Sequence, residues 1–321
     1  MAAVSAIIPA NRVGRRTFTT HYAVDQLITI IPTFVSRLQH THFRRRLYCS
    51  ARSRSAIMNT GSAPAASTMV AVRQGPEQST RLVALEYADL NLTDKFPEEL
   101  GHLRIRQHVN PLRSTLMVPA KVPNWNEVYE DATLPLMVDI GSGTGRFLMW
   151  LAKKNPNAKN YLGLEIKRKL VDRANYWVNE LALRNIHFIS ANASVSFKQL
   201  VSAYPGPLML VSILCPDPHF KRKYRKRRVV QEALVESIVD SLMPGGHVFI
   251  QSDVLDVAMD MRDHFDAKLK KLIHIDNVDS TMEIDGDGWL LSNPMGIRTE
   301  REIHAEFEGA RIYRRMYQKL M

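Results

Sequence analysis

A short segment in the second half of the chain places one acidic residue beside a dense run of cations. Residues 215–220 read CPDPHF, so Asp217 lies between two prolines that restrict its backbone. Seven of the eight residues at 221–228 are Lys or Arg. Cations in this number favour a polyanionic partner that is held by its phosphates. A charge run that enters a helix is also typical of a solvated surface, and the segment alone leaves both interpretations open.

A glycine-rich loop is the second candidate for chemistry. Residues 138–146 read VDIGSGTGR, after an apolar run and before a helical pattern, and such glycines let the backbone approach a ligand. A dinucleotide fingerprint would place its third glycine at position 146, which is Arg146. The spacing of Gly141, Gly143 and Gly145 favours S-adenosylmethionine, which has no pyrophosphate to seat on the helix. A tight turn without a ligand is the alternative.

Polar side chains also follow the apolar runs. Glu165 closes the second run, 22 residues beyond Gly143, where a carboxylate can accept hydrogen bonds from both hydroxyls of a ribose. Asn192 could read an adenine edge, and Asp139 could face the amino-acid end of the ligand. An Asx turn or a helix cap would explain either residue taken singly. Their positions at three successive strand ends together favour a site.

The elements that must position these residues follow a regular alternation of apolar runs and amphipathic helical stretches. Continuous apolar strands with helical crossovers predict an α/β fold with a doubly wound, mostly parallel sheet of the Rossmann-like type, and ligands at the carboxyl ends of its strands. The predicted strands lie at 134–140, 160–166, 186–191, 207–215 and 247–253. Residues 77–130 before them are loop-rich, and RIRQHVNPLR at 104–113 is consistent with a solvated surface or a phosphate-binding segment.

The net charge of +11 is concentrated near the start of the 321-residue chain. Residues 1–76 contain ten Arg, no Lys and a single acidic residue, which predicts an organelle transit peptide, with a chloroplast or other plastid favoured over a mitochondrion. A basic arm that binds nucleic acid is the alternative. No apolar run approaches the roughly 18 residues of a membrane span, so no membrane anchor is expected. Two cysteines indicate neither a disulfide framework nor a metal site.

Three motifs together carry a family resemblance: the glycine loop, CPDPHFKRKYRKRR at 215–228 and NPMGIRTERE at 293–302. With them the chain resembles the bacterial-type tRNA (guanine-N7-)-methyltransferases over roughly residues 100–319. The resemblance implies a class I methyltransferase domain at 131–321 that uses S-adenosylmethionine to methylate guanine N7 in tRNA, at variable-loop position 46. A methyltransferase acting on another RNA and a non-catalytic RNA-binding subunit with the same fold are the alternatives.

The TERE ending of the last motif differs from the shorter ending of the two-subunit relatives. It therefore points to an enzyme without an obligate protein partner, either a monomer or a homodimer. Two positions depart from the family pattern: Asp139 replaces the Glu of many bacterial relatives, and His219 replaces their Trp.

The resemblance also assigns site residues by position. The implied cofactor contacts are Asp139, Gly141, Gly143, Gly145, Glu165, Ile166, Asn192, Ala193, Cys215 and Asp217. The implied tRNA contacts are Lys221, Arg225, Asp253, Thr299, Glu300, Arg301 and Glu302. Thr299 and Glu302 also have the spacing of a capping box, and Asp253 could equally cap a helix.

The implied reaction explains why an acid lies beside the cations. Guanine N7 has an in-plane lone pair and no proton, so it attacks a methyl group without a general base. Methylation leaves the purine cationic, and a nearby carboxylate stabilises that charge as it develops. Asp217 is therefore the predicted catalytic residue, and the cations at 221–228 are predicted to hold RNA phosphates.

Overall fold

The computed structural model describes residues 76–92, 96–97, 100 and 109–321. The predicted transit peptide therefore lies outside the described residues except for Pro76, and so do the first five residues of RIRQHVNPLR. None of the helices in the described part has the length and apolar character needed to cross a bilayer.

A seven-stranded sheet organises the described part of the chain. Its strands are β1 (Leu136–Ile140), β2 (Asn160–Glu165), β3 (Ile186–Ser190), β4 (Leu208–Leu214), β5 (Leu242–Ser252), β6 (Leu272–His274) and β7 (Tyr313–Lys319), in the order β3-β2-β1-β4-β5-β7-β6. The first five run parallel, and β7 is antiparallel to both of its neighbours. The predicted doubly wound, mostly parallel fold is confirmed. The strand order reverses between β1 and β4, and folds of this type bind ligands at that point.

Eight α-helices accompany the strands in the described part. They are α1 (Pro76–Glu86), α2 (Trp125–Val128), α3 (Arg146–Lys154), α4 (Arg168–Glu180), α5 (Ala193–Ser202), α6 (Glu232–Ser241), α7 (Leu255–Asp266) and α8 (Glu300–Phe307). Short 3₁₀ turns cover Ala88–Leu90, Ser114–Leu116, Arg222–Arg227 and Ile275–Asn277. The loop-rich segment predicted at 77–130 thus contains most of α1.

Helices cover both faces of the sheet because successive strand residues point to opposite sides. Leu136, Val138 and Ile140 of β1 pack with α5, α6 and α7 in one cluster, whereas Met137 packs with α3 and α4 in another. Helix α1 joins the second cluster through Val83. The carboxyl ends of β1, β2 and β4 are therefore held by packing on both faces.

Candidate active site

A cavity of about 300 Å³ opens at the carboxyl ends of β1, β2 and β4. It lies where the strand order reverses, as the fold predicts. Twelve of the predicted site residues line it: Asp139, Gly141, Gly143, Glu165, Ile166, Asn192, Ala193, Cys215, Asp217, Thr299, Glu300 and Arg301. The other five, Gly145, Lys221, Arg225, Asp253 and Glu302, lie outside its lining. The structure thus brings the three sequence motifs to one cavity.

Two glycines of the loop present open backbone to this cavity. Gly141 and Gly143 have φ angles of +85° and +57°, a region that side-chain-bearing residues rarely adopt. A Cβ atom at either position would have no protein atom within 4 Å, so there is room for a ligand against the backbone. Between them, the hydroxyl of Ser142 is buried without a hydrogen-bond partner in the described part of the chain.

Gly145 has a different role from the one that its spacing predicted. A Cβ atom there would lie 2.6 Å from the Phe188 ring on β3. The absence of a side chain therefore lets the start of α3 pack against the sheet, and Gly145 contacts protein where cofactor was expected.

Glu165 is held firmly at the end of β2. One carboxylate oxygen accepts the Gly143 N–H at 3.0 Å, and the other accepts the Lys167 N–H at 2.9 Å. Burial raises the pKa of the Glu165 carboxyl, although these N–H groups and the Lys167 charge oppose the rise. Each oxygen retains a second lone pair, so the carboxylate can also accept hydrogen bonds from a ribose.

Asp139 is almost fully buried at the end of β1. Its carboxylate accepts the Ser212 hydroxyl at 2.7 Å from the adjacent strand. Burial raises the pKa of Asp139 to about 7, and the Glu165 charge adds to the rise. A cationic group in the cavity would favour the ionised form and lower this pKa.

Asn192 caps a helix, which is one of the roles that the sequence left open. Its Oδ1 accepts the Ser194 N–H at 3.2 Å and caps α5, while its Nδ2 donates to the Pro111 carbonyl at 3.0 Å. Val109 and Pro111 themselves line the cavity. The described end of RIRQHVNPLR is therefore part of the cavity wall.

The CPDPH loop after β4 has an unusual backbone. Cys215 and His219 have φ angles of 49° and 43°, and such conformations persist only where the surroundings impose them. The Cys215 N–H donates to the Gln251 carbonyl at 2.7 Å, which ties the loop to β5. Burial raises the pKa of the Cys215 thiol to about 12, so a neutral thiol lines the cavity beside Asp217.

The cation run divides into structural and accessible residues. Arg228 is buried, pairs with Asp256 and with Asp260 at 3.1 Å, and donates to the Pro218 carbonyl. The prediction that all these cations hold phosphates is wrong for Arg228, because its donors hold the CPDPH loop to α7. Arg225, a predicted tRNA contact, also pairs with Asp256, at 2.5 Å, but remains half-exposed.

Lys221, Arg222 and Lys226 are exposed, and none has a carboxylate partner within the part of the chain that is described. With Lys223, which is also exposed and lies over the Tyr224 ring, they are the members of the run that are available to phosphates.

Arg227 is a site residue that the sequence did not single out. Its guanidinium lies 4.1 Å from the centre of the Tyr224 ring and lines the cavity. Its Nε is buried without an acceptor among the described residues. Nothing in a uniform cation run distinguishes this position, because the distinction depends on how the 3₁₀ turn is oriented.

The start of α8 confirms the predicted capping box. The Thr299 hydroxyl accepts the Glu302 N–H, and the Glu302 carboxylate accepts the Thr299 N–H, both at 3.1 Å. Glu302 is 0% exposed and pairs with Arg314 of β7 at 2.5 Å. The prediction that Glu302 contacts tRNA is wrong in this structure, since its side chain has no accessible surface.

The other predicted tRNA contacts in this region pair with protein. Asp253 pairs with Arg301 at 2.5 Å, and the alternative that Asp253 caps α7 is wrong, because Val254 takes the N-cap position. Glu300 accepts a hydrogen bond from the Thr144 hydroxyl at 2.8 Å and pairs with Arg146. Glu300 therefore ties α8 to the glycine loop.

Comparisons with known proteins agree with this arrangement. A family model described as "Putative methyltransferase" matches residues 133–314. A tRNA (guanine-N(7)-)-methyltransferase of Synechococcus sp. strain JA-2-3B'a(2-13) is 46% identical over 203 residues, which cover 63% of this chain and 79% of that protein. The protein of that name from Synechocystis sp. strain PCC 6803 is 41% identical over 220 residues, 68% of this chain and 99% of its own length. This chain belongs to the family of the tRNA (guanine-N7-)-methyltransferases.

Proposed function

We propose that this protein transfers the methyl group of S-adenosylmethionine to N7 of a guanine in tRNA. The observation that carries the proposal is that Asp217 lines the same cavity as Glu165 and the glycine loop. The relatives named for this activity match the chain over most of their own length. One cavity thus combines a nucleoside-binding carboxylate with an acid suited to the methylated base.

The residues of the cavity fit the proposed cofactor. The open backbone at Gly141 and Gly143 leaves room for a ligand against the glycine loop. Glu165 accepts the ribose hydroxyls, and Asp139 faces the amino-acid end. When bound, the cofactor supplies an electrophilic methyl group. The chain's own residues hold it and exclude water from it.

Positioning and electrostatics account for the rest of the reaction. Guanine N7 needs no general base, so the enzyme must align its lone pair with the methyl group. Asp217 stabilises the positive charge that develops on the purine, and this effect is strongest in a site that excludes water. Arg227 lines the same cavity, and its cationic side chain suits a carbonyl or phosphate oxygen of the substrate.

The exposed cations Lys221, Arg222 and Lys226 hold phosphates near the cavity mouth and so bring the base to Asp217. The target is the variable-loop guanine at position 46, on the strength of the family motifs. The enzyme acts as a monomer or homodimer without an obligate protein partner. This is supported by the TERE ending of the last motif.

The proposed compartment is a plastid. The Arg-rich, acid-poor composition of residues 1–76 supports import into an organelle. A fluorescent fusion of residues 1–76 should enter plastids. A mitochondrial or cytosolic signal would refute this part of the proposal.

A methylation assay tests the activity. The full chain is incubated with labelled S-adenosylmethionine and unmodified tRNA, and the product is mapped by chain cleavage at 7-methylguanosine. The expected product is cleaved at position 46, and a tRNA with adenine at 46 serves as the matched control. Equal labelling of the control would exclude position 46, whereas tRNA binding without any label would favour a non-catalytic RNA-binding subunit.

A further inference from the structure

A segment before the family core contributes to the cavity. Residues 76–92, which form α1 and the turn after it, precede both the matched residues 133–314 and the motif-bearing region from residue 100. Tyr87 of this segment is 4% exposed and lines the cavity together with Thr144 and Glu300. The cofactor site of this chain therefore includes a residue outside the part that the family model describes.

Two consecutive residues of the segment, Glu86 and Tyr87, hold Arg298, which lies just before the N-cap residue of α8. The Tyr87 hydroxyl donates to the main-chain carbonyl of Arg298. The Glu86 carboxylate accepts the Arg298 main-chain N–H at 3.2 Å and pairs with its guanidinium at 2.5 Å. Backbone and side chain of Arg298 are thus fixed together, one residue before the Thr299 cap.

Helix α8 in turn holds the glycine loop. Its first residue, Glu300, accepts from the Thr144 hydroxyl and pairs with Arg146, and both of these residues belong to the loop and the start of α3. A continuous series of polar contacts therefore runs from α1 through α8 to the glycine loop. A shift of α8 would move the backbone that faces the cofactor.

The segment is packed along its whole described length. Val83 and Leu90 are buried in the same cluster as α3 and α4. Beyond Tyr87, the Asp89 carboxylate pairs with Lys154 at 2.9 Å, at the far end of α3. The burial gives the segment a fixed position, because apolar side chains released from it would be exposed to water.

We propose that Glu86 and Tyr87 are positioning residues for cofactor binding: Tyr87 closes one wall of the cavity, and the two residues together fix the start of α8 and with it the glycine loop. The inference rests on the proposed function only for the identity of the cofactor. It makes cofactor affinity depend on residues that lie outside the family core.

Variants of the full chain test this role. Tyr87→Phe keeps the ring and removes the hydroxyl, Glu86→Gln removes the charge, and Tyr87→Ala removes the wall. Binding of S-adenosylhomocysteine is measured by calorimetry, and the cofactor KM and kcat are measured at saturating tRNA. Tyr87→Phe and Glu86→Gln should each weaken binding about 3- to 10-fold, the effect of one lost hydrogen bond or ion pair of ordinary strength, and Tyr87→Ala should weaken it more than 10-fold.

The matched control is Asp89→Asn. It breaks an exposed ion pair in the same segment, away from the cavity, and should leave cofactor affinity unchanged. In all three test variants kcat at saturating cofactor should stay within about twofold, since Asp217 is not disturbed and the loss lies in binding. A double-mutant cycle of Glu86→Gln with Arg298→Gln should show that the two effects on affinity are not additive.

Wild-type affinity in a folded Tyr87→Ala variant would overturn the inference. If that variant does not fold, unchanged affinity in both Tyr87→Phe and Glu86→Gln would overturn it equally. Loss of affinity in Asp89→Asn as large as in Tyr87→Phe would also overturn it, because the effect would then be general destabilisation. A wild-type protein that binds no S-adenosylhomocysteine would instead remove the proposed function.

Discussion

The buried carboxyl of Asp139 should make the stability of the ligand-free protein fall as pH rises. Its pKa is raised from 3.8 to about 7, chiefly by burial. A carboxyl group whose pKa is raised by folding contributes stability that is complete below pH 3.8 and is lost as pH rises through about 7. Replacement of Asp139 by Asn keeps an oxygen that accepts the Ser212 hydroxyl and removes the titration.

The size of the change in the free energy of unfolding follows from the pKa shift of Asp139. The difference between 3.8 and about 7 corresponds to about 4 kcal/mol, at about 1.4 kcal/mol for each pKa unit. Part of this loss already occurs below pH 5, so about 2 to 3 kcal/mol remains between pH 5 and pH 8. That amount is a large fraction of the stability of a typical domain.

Urea unfolding of wild type and Asp139→Asn at pH 5 and pH 8 measures the effect. Other groups titrate in both proteins, so their contributions cancel when the pH dependence of one protein is subtracted from that of the other. The wild type should lose about 2 to 3 kcal/mol more than the variant over this range. Equal pH dependence in the two proteins would show that Asp139 does not titrate in this range and would refute the reasoning.

Three further predictions concern the ligands. Glu165→Ala should weaken S-adenosylhomocysteine binding by about 10-fold or more in calorimetry, because charge-assisted hydrogen bonds are lost, and unchanged affinity would remove Glu165 from the site. Lys221→Ala and Lys226→Ala should each reduce the slope of log tRNA binding constant against log salt concentration by about 0.7 to 0.9, and a wild-type slope would contradict the phosphate contacts. Arg228→Ala should instead lower the urea concentration at the midpoint of unfolding, because it breaks a buried ion pair. Asp217→Asn should slow single-turnover methylation at saturating tRNA and cofactor about 100-fold, and a wild-type rate would reduce Asp217 to a turn-forming residue.

The sequence predicted the parts of the site that depend on local pattern. Strand and helix periodicity located β1 to β5 along the chain, and the glycine spacing indicated the loop at Gly141 and Gly143, because both signals lie within a few residues. Glu165 was also identified from local pattern, because it closes an apolar run and therefore lies at a predicted strand end. The antiparallel edge formed by β6 and β7 was not predicted. Its residues are interrupted by charges such as Arg314, and contacts with Glu302, Glu306 and Gln251 make that charge compatible with burial.

The cation run shows why a uniform charge pattern does not assign roles. Arg225, Lys226 and Arg228 look equivalent in sequence, but Asp256 and Asp260 of α7 neutralise only those residues that the 3₁₀ turn directs toward them. A buried charge requires a partner, and here the partner lies about 30 residues away. Sequence pattern therefore located the charged surface, while the side of the turn on which each residue lies had to come from the structure.

The TERE segment at 299–302 shows that neighbouring residues can have different roles even within a single helical turn. Successive residues of an α-helix point about 100° apart, so neighbouring side chains face different elements. Glu300 reaches Arg146 of α3, Arg301 reaches Asp253 after β5, and Glu302 is buried against β7. A motif of four consecutive residues cannot present all of its side chains to one substrate. The segment joins three elements around the cavity.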